Sequence, residues 1–233
     1  MTPRELLLQS FSVAVQAANP AHALPRHLPK PPKGRTLVVG AGKAAAAMAL
    51  AVEQHWPATA KLDGVVVTRY GHKLGTQKIQ VIEAGHPIPD EQGLAASRQI
   101  LAAVRQLTAD DLLLCLLSGG GSSLLALPLD GITLCDLQSI TQQLLRCGAN
   151  IQEINAVRKH LSQIQGGRLT AACQAPVLAL IISDVTGDAA TDIASGPCAP
   201  DPTTTADALE VLKRYCVTIP AGIHQIFQNG TET

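Results

Sequence analysis

Five short aliphatic runs, separated by segments of helical spacing, limit what this chain can become more than any other feature. They are Thr36–Val39, Gly64–Thr68, Lys78–Ile82, Asp111–Leu117 and Val177–Ser183. The fourth is almost unbroken leucine. A run without polar alternation has no face for water, so it must be buried on both sides. Between the runs, helices are expected over Ala44–His55, from Asp90 to about Leu107, over Thr133–Cys147, over Asn150–Gln165 and over Thr203–Tyr215. Asn150 with Glu153 three residues on makes a capping box. Strands alternating with helices predict an α/β fold: a mostly parallel sheet with helices on both faces.

The first 35 residues read differently. Thr2, Pro3 and Glu5 open a helix with a second capping box, and the Pro-rich stretch from Asn19 to Lys33 then breaks regular structure. Residues 1–35 are therefore expected to be a helix and linker packed on the domain, and residues 36–233 the domain itself. Aromatics make up only 2% of the chain, so the core must be built from Ala, Leu, Val and Ile. Net charge is zero, which argues against nucleic acid as a partner. Six cysteines occur with no C-x-x-C pair, and they read as reduced thiols of a cytoplasmic protein. No apolar run is long enough to span a bilayer.

Ligands of a parallel sheet bind beyond the C-terminal strand ends, and that is where the unusual residues cluster. The first loop runs Val39-Gly40-Ala41-Gly42-Lys43-Ala44-Ala45. Gly40 and Gly42 would let backbone N–H groups approach an anion at a helix start, with Lys43 adding a charge. A Walker A loop is ruled out because Leu37 stands where its first glycine belongs. The spacing fits the dinucleotide pattern G-x-G-x-x-A, yet the second strand ends Thr68-Arg69-Tyr70-Gly71-His72 with no acid for a ribose. NADP remains open through Arg69, and His72 is a candidate for a phosphate or carboxylate. The loop Ser118-Gly119-Gly120-Gly121-Ser122-Ser123 follows the leucine strand and predicts an anion nest of backbone amides and hydroxyls. Arg158 lies on a helix dense in polar groups. After the last strand, Asp184 is placed to hold Mg²⁺ and Asp188 to act as a base, followed by the tight turn at Ser195 and Gly196.

Taken together, VVGAGKAAAAMA, TRYGH, EAGHPIPDEQG, LLSGGGSSLL, EINAVRKHLSQIQGGRL and SDVTGDAATDIASGP resemble, in order, the class II glycerate kinases, a family once labelled hydroxypyruvate reductase. The resemblance implies a Rossmann-like N-terminal domain facing a second domain, which is expected to be missing from this chain. It implies ATP-dependent phosphorylation of D-glycerate to 2-phosphoglycerate with Mg²⁺, and it gives Lys43 the catalytic role. The family also uses an Arg from later than this chain reaches. Two rivals stand beside that reading: an NADP-dependent hydroxypyruvate reductase and a non-catalytic ligand-binding remnant.

Overall fold

A computed structural model describes residues 1–228, so the last five residues of the expected domain, 229–233, lie outside the described residues. The elements are α1 (Pro3–Ala17), α2 (Pro20–Ala23), β1 (Thr36–Ala41), α3 (Ala45–His55), β2 (Leu62–Arg69), β3 (Ile79–Ala84), α4 (Glu91–Val104), β4 (Leu112–Ser118), α5 (Gly121–Leu124), α6 (Leu134–Arg146), α7 (Ile151–His160), α8 (Arg168–Ala171), β5 (Val177–Ile182), α9 (Thr205–Arg214) and α10 (Ala221–Gln228). The five strands form one sheet in the order β3-β2-β1-β4-β5, and every pairing is parallel.

Two cores sandwich this sheet. On one face Val39, Val67, Leu113 and Cys115 meet Leu94, Ile100 and Val104 of α4. On the other, Val38, Val66, Leu114 and Leu116 meet the small residues of α3 (Ala45, Ala46, Ala49) together with Met48 and Val52. The Ala-rich helix lets its backbone approach the sheet closely, which suits a chain almost without aromatic rings. A third core joins α6, α7, α9 and α10 through Ile140, Leu144, Val157, Leu161, Val211, Leu212, Ile223 and Phe227. Glu153 ties this helical lobe together, accepting from Asn150 N–H at 3.0 Å, Arg214 Nη1 at 2.7 Å and Tyr215 O–H at 2.8 Å.

Three expectations need correction. The helix expected to Gln165 ends at His160, because Gln163 N–H is drawn to the Leu127 carbonyl and Leu129 N–H to that of Leu161. The strand Val177–Ile182 is not fully enclosed: it forms the edge of the sheet, and all six residues are only half-buried. The N-terminal segment is only partly packed on the domain. Leu24 and Leu28 reach the α3 core, whereas no residue of α1 is buried.

Candidate active site

The strand order places a topological switch point between β1 and β4: the chain leaves β1 toward β2 and β3 on one side and returns to β4 on the other. The crevice beyond such a point is where doubly wound sheets bind ligands. Both glycine loops open there, the first after β1 and the second after β4. A cavity of about 510 Å³ lies at this place, between the strand ends and the α6–α7 lobe.

The two loops have different jobs. In the first, every amide has a protein partner: Gly42 N–H goes to the Val67 carbonyl, Lys43 N–H to that of Gly119 and Ala44 N–H to Ser118 Oγ. Gly40 and Gly42 therefore do not cradle an anion, contrary to expectation. They are glycines because a Cβ would strike the Leu116 carbonyl at position 40 and Ser118 at position 42, where φ is +138°. Ser118 likewise is buried and caps the start of α3 instead of facing a ligand. Only the exposed Lys43 side chain leaves this loop, with Cε reaching Gly120, itself a residue of the cavity lining.

In the second loop, by contrast, no protein acceptor takes the amide of Gly119, Gly120 or Gly121 among the described residues. Gly120 has φ +83°, a left-handed turn that glycine adopts without strain and that directs successive amides outward. Ser123 Oγ donates to the Gly120 carbonyl at 3.2 Å, and Ser122 Oγ lies 2.9 Å from Ser195 Oγ. Ser195 and Gly196, expected to touch a ligand, are instead scaffold. Ser195 is fully buried between Ser122 and Asn155, and Gly196 is packed against the Thr191 carbonyl. Ala194 and Ser195 both hold φ above +50°, a strained conformation that seats Ala194 against Gly121 at the cavity floor.

Arg158 lines the cavity from α7. Its guanidinium donates to Asn155 Oδ1 at 3.3 Å, and no carboxylate lies within salt-bridge reach among the described residues. Burial lowers its pKa to about 10. The residue is partly buried and lines the cavity, so it remains a cation at neutral pH with no carboxylate beside it among the described residues. Facing it, Asp184 is exposed beyond β5, and a Cβ on Gly119 would collide with its carboxylate. Asp192 also lines the cavity. No group of three or more His, Cys, Asp or Glu that could hold a metal occurs among the described residues.

Two expected site residues lie elsewhere. Asp188 sits in an exposed turn, outside the cavity lining, where its N–H closes onto the Val185 carbonyl. His72 is also outside the lining: its N–H goes to Glu83, and its ring accepts from Arg69 Nε at 2.7 Å. Reading the sequence for strand ends missed His86, which the chain brings from beyond β3. A Cβ on Gly120 would lie 2.6 Å from His86 Nε2 and 3.3 Å from Lys43 Cε, so the imidazole and the lysine converge over the second loop. Burial, then the Lys43 and Arg69 charges, hold the His86 imidazole below the usual histidine range, against a pull from Asp184. The signal for it was the Gly85-His86-Pro87 sequence after a strand. Leu145 and Ile151 form an exposed apolar lip. A larger cleft of about 610 Å³, between α4 and the segment before α6, receives neither glycine loop nor Arg158.

A parallel doubly wound sheet with two glycine loops opening at its switch point defines a Rossmann-like domain. The chain belongs to the family described as Domain of unknown function (DUF4147), which matches residues 6–228. It is 45% identical over 214 residues to a D-glycerate 2-kinase of Thermotoga maritima, covering 91% of this chain and 51% of that protein. Human glycerate kinase is 39% identical over 92% of this chain and 46% of its own length. An Agrobacterium vitis protein provisionally named a hydroxypyruvate reductase is 49% identical over 100% of this chain and 53% of its own. The crystal structure of the Thermotoga maritima glycerate kinase superposes with a TM-score of 0.88 at 41% identity, covering 98% of this chain and 55% of that one. The resemblance read from the motifs is thus borne out, and the chain spans about half the length of the relatives it matches.

Proposed function

We propose that this chain is the substrate- and nucleotide-holding half of an enzyme that transfers the terminal phosphoryl group of ATP to the 2-hydroxyl of D-glycerate. The observation that carries this reading is the convergence of Arg158 and the free amides of Gly119 and Gly120 on one cavity. A desolvated guanidinium binds a carboxylate in a charge-assisted pair. The amide nest suits phosphoryl oxygens. Lys43 neutralises charge developing on the transferred group, which is where phosphoryl transfer gains most of its catalysis. His86 lies beside Lys43 with its imidazole neutral at pH 7, and it takes over from Asp188 the task of accepting the substrate hydroxyl proton.

Mg²⁺ fits this donor set in the manner of nucleotide enzymes, where one or two carboxylates share the ion with substrate phosphates. Asp184 is the free carboxylate at the right place, with Asp192 in the same lining. Bound there, the ion would neutralise phosphate charge. No helix among the described residues is long and apolar enough to cross a membrane, and all six cysteines are free thiols, which supports a cytoplasmic enzyme.

The reductase alternative loses its main support, because the G-x-G-x-x-A loop has no amide left for a dinucleotide pyrophosphate. The test is calorimetry with D-glycerate and 2-phosphoglycerate, together with coupled ADP release in the presence of ATP and Mg²⁺. Binding of both acids is expected, with turnover far below the ~1 s⁻¹ usual for kinases, because this chain spans about half the relatives' length. Binding of neither acid would refute the proposal, and binding without any detectable turnover would favour the remnant reading. NADPH oxidation by hydroxypyruvate would favour the reductase.

A further inference from the structure

The hydrogen bonds around the buried Ser195 have a direction that the atoms themselves dictate. Arg158 Nη1 lies 3.3 Å from Asn155 Oδ1. A guanidinium carries only donors, so the Asn155 atom that meets it is the carbonyl oxygen. The other end of the amide agrees: Nδ2 faces the backbone carbonyl of Asp192 at 3.5 Å, which can only accept. The same Oδ1 lies 3.2 Å from Ser195 Oγ, so Ser195 donates to it. With its one proton spent there, Ser195 Oγ is left to accept from Ser122 Oγ–H at 2.9 Å.

The chain thus runs from Ser122 through Ser195 to Asn155, on the carbonyl that Arg158 holds. Its open end is Ser122 Oγ. Ser122 is half-buried and lines the cavity, and no other hydrogen bond engages its hydroxyl among the described residues. Because its proton points inward, it turns only lone pairs to the cavity. Arg158 and the amides of Gly119 and Gly120 offer donors to a ligand's anionic oxygens. Ser122 asks for the opposite: a ligand group that carries a proton.

We propose that Ser122 Oγ accepts a hydrogen bond from the 3-hydroxyl of the bound acid, and that Ser195 and Asn155 are positioning residues that keep it an acceptor. The assignment rests on the phosphotransferase reading above, in which Arg158 holds the carboxylate and His86 takes the proton of the 2-hydroxyl. The 3-hydroxyl is then the acid's one donor without a partner. A methyl group in its place would take water from the Ser122 lone pairs and return nothing, which is how a polar site rejects a deoxy analogue.

Calorimetric titration with three acids tests this. D-lactate lacks only the 3-hydroxyl, and tartronate carries a carboxylate there, which has acceptors alone. The present chain should bind D-glycerate at least ~5-fold more tightly than D-lactate, and Ser122→Ala should bring that ratio below ~2 by weakening D-glycerate. Ser195→Ala frees the Ser122 proton to point into the cavity, so the affinity for tartronate relative to D-glycerate should rise by ~5-fold or more. Alanine is tolerated at position 195, since Ala194 beside it already holds the same left-handed backbone. Equal affinity of the parent for D-glycerate and D-lactate, a preference that survives Ser122→Ala, or an unchanged tartronate ratio in a folded Ser195→Ala would each overturn the proposal and leave the phosphotransferase reading standing. Binding of none of the three acids to the parent would remove that reading and this assignment with it.

Discussion

Arg158 offers a test in which stability and binding should move in opposite directions. Replacing it with Met keeps the aliphatic stem and removes the charge. The fall of its pKa from 12.5 to about 10 corresponds to a desolvation cost of up to about 3 kcal/mol. The cavity is open to water, so screening reduces the figure to ~1–2 kcal/mol. What the fold loses in exchange is one 3.3 Å hydrogen bond to Asn155 Oδ1, worth about 1–2 kcal/mol when the donor is charged. The two nearly cancel. Arg158→Met should therefore melt within about 4 °C of the parent, at roughly 2–4 °C per kcal/mol for a chain of this size. Its affinity for D-glycerate should fall by roughly 10- to 150-fold, the equivalent of one or two charge-assisted hydrogen bonds. Calorimetric titration and differential scanning calorimetry on the same preparation give both numbers. A melting point lowered by 10 °C or more with affinity unchanged would show that Arg158 holds the α7 lobe together and does not meet a ligand.

Lys43→Ala should weaken 2-phosphoglycerate by about 10-fold or more while changing D-glycerate affinity much less, because the lysine faces the phosphoryl group; equal losses in calorimetry would remove that role. Gly120→Val places a side chain against His86 and Lys43, whereas Gly131→Val meets nothing within 4 Å at a similar φ of +87°. Both should cost ~1–3 kcal/mol in urea unfolding from left-handed strain, and only the first should abolish anion binding. Lys159 and Asp201 form an ion pair 2.9 Å apart with side chains 3% and 0% exposed, so Asp201→Ala should cost roughly 3–5 kcal/mol by stranding a buried ammonium. Burial works against the Asp201 carboxylate, yet the Thr203 and Lys159 donors hold its pKa below the usual range. A depressed carboxylate stabilises the fold above the unfolded-state value near ~4 and loses that contribution as pH falls through the folded value. Below pH ~4, therefore, the parent and Asp201→Ala should converge in stability; a constant gap would refute the pairing.

The strands, their parallel arrangement and the place of the site were legible in the residues, because aliphatic runs and glycine-rich strand ends are local signals. Arg158, Asp184, Gly119 and Gly120 were singled out by such signals and line one cavity, and Lys43 approaches it through its contact with Gly120. What local signals do not carry is who takes each hydrogen bond. Gly40 and Gly42 look like an anion loop, but the first loop's amides, those of Gly42, Lys43 and Ala44, are consumed by Val67, Gly119 and Ser118, residues 25 or more positions away. Ser195 looks exposed in a polar turn, yet Ser122 and Asn155 enclose it. His86 enters only because the loop after β3, which has two strands between it and β4, folds back over Gly120. The lack of a carboxylate beside Arg158 and the bare face of α1, among the described residues, are likewise facts about missing neighbours, and a neighbour, present or missing, is set by the packing of segments distant in the chain. Sequence thus determined the elements and their chemistry, while tertiary structure alone decided which donors were already spent and which remained for a ligand.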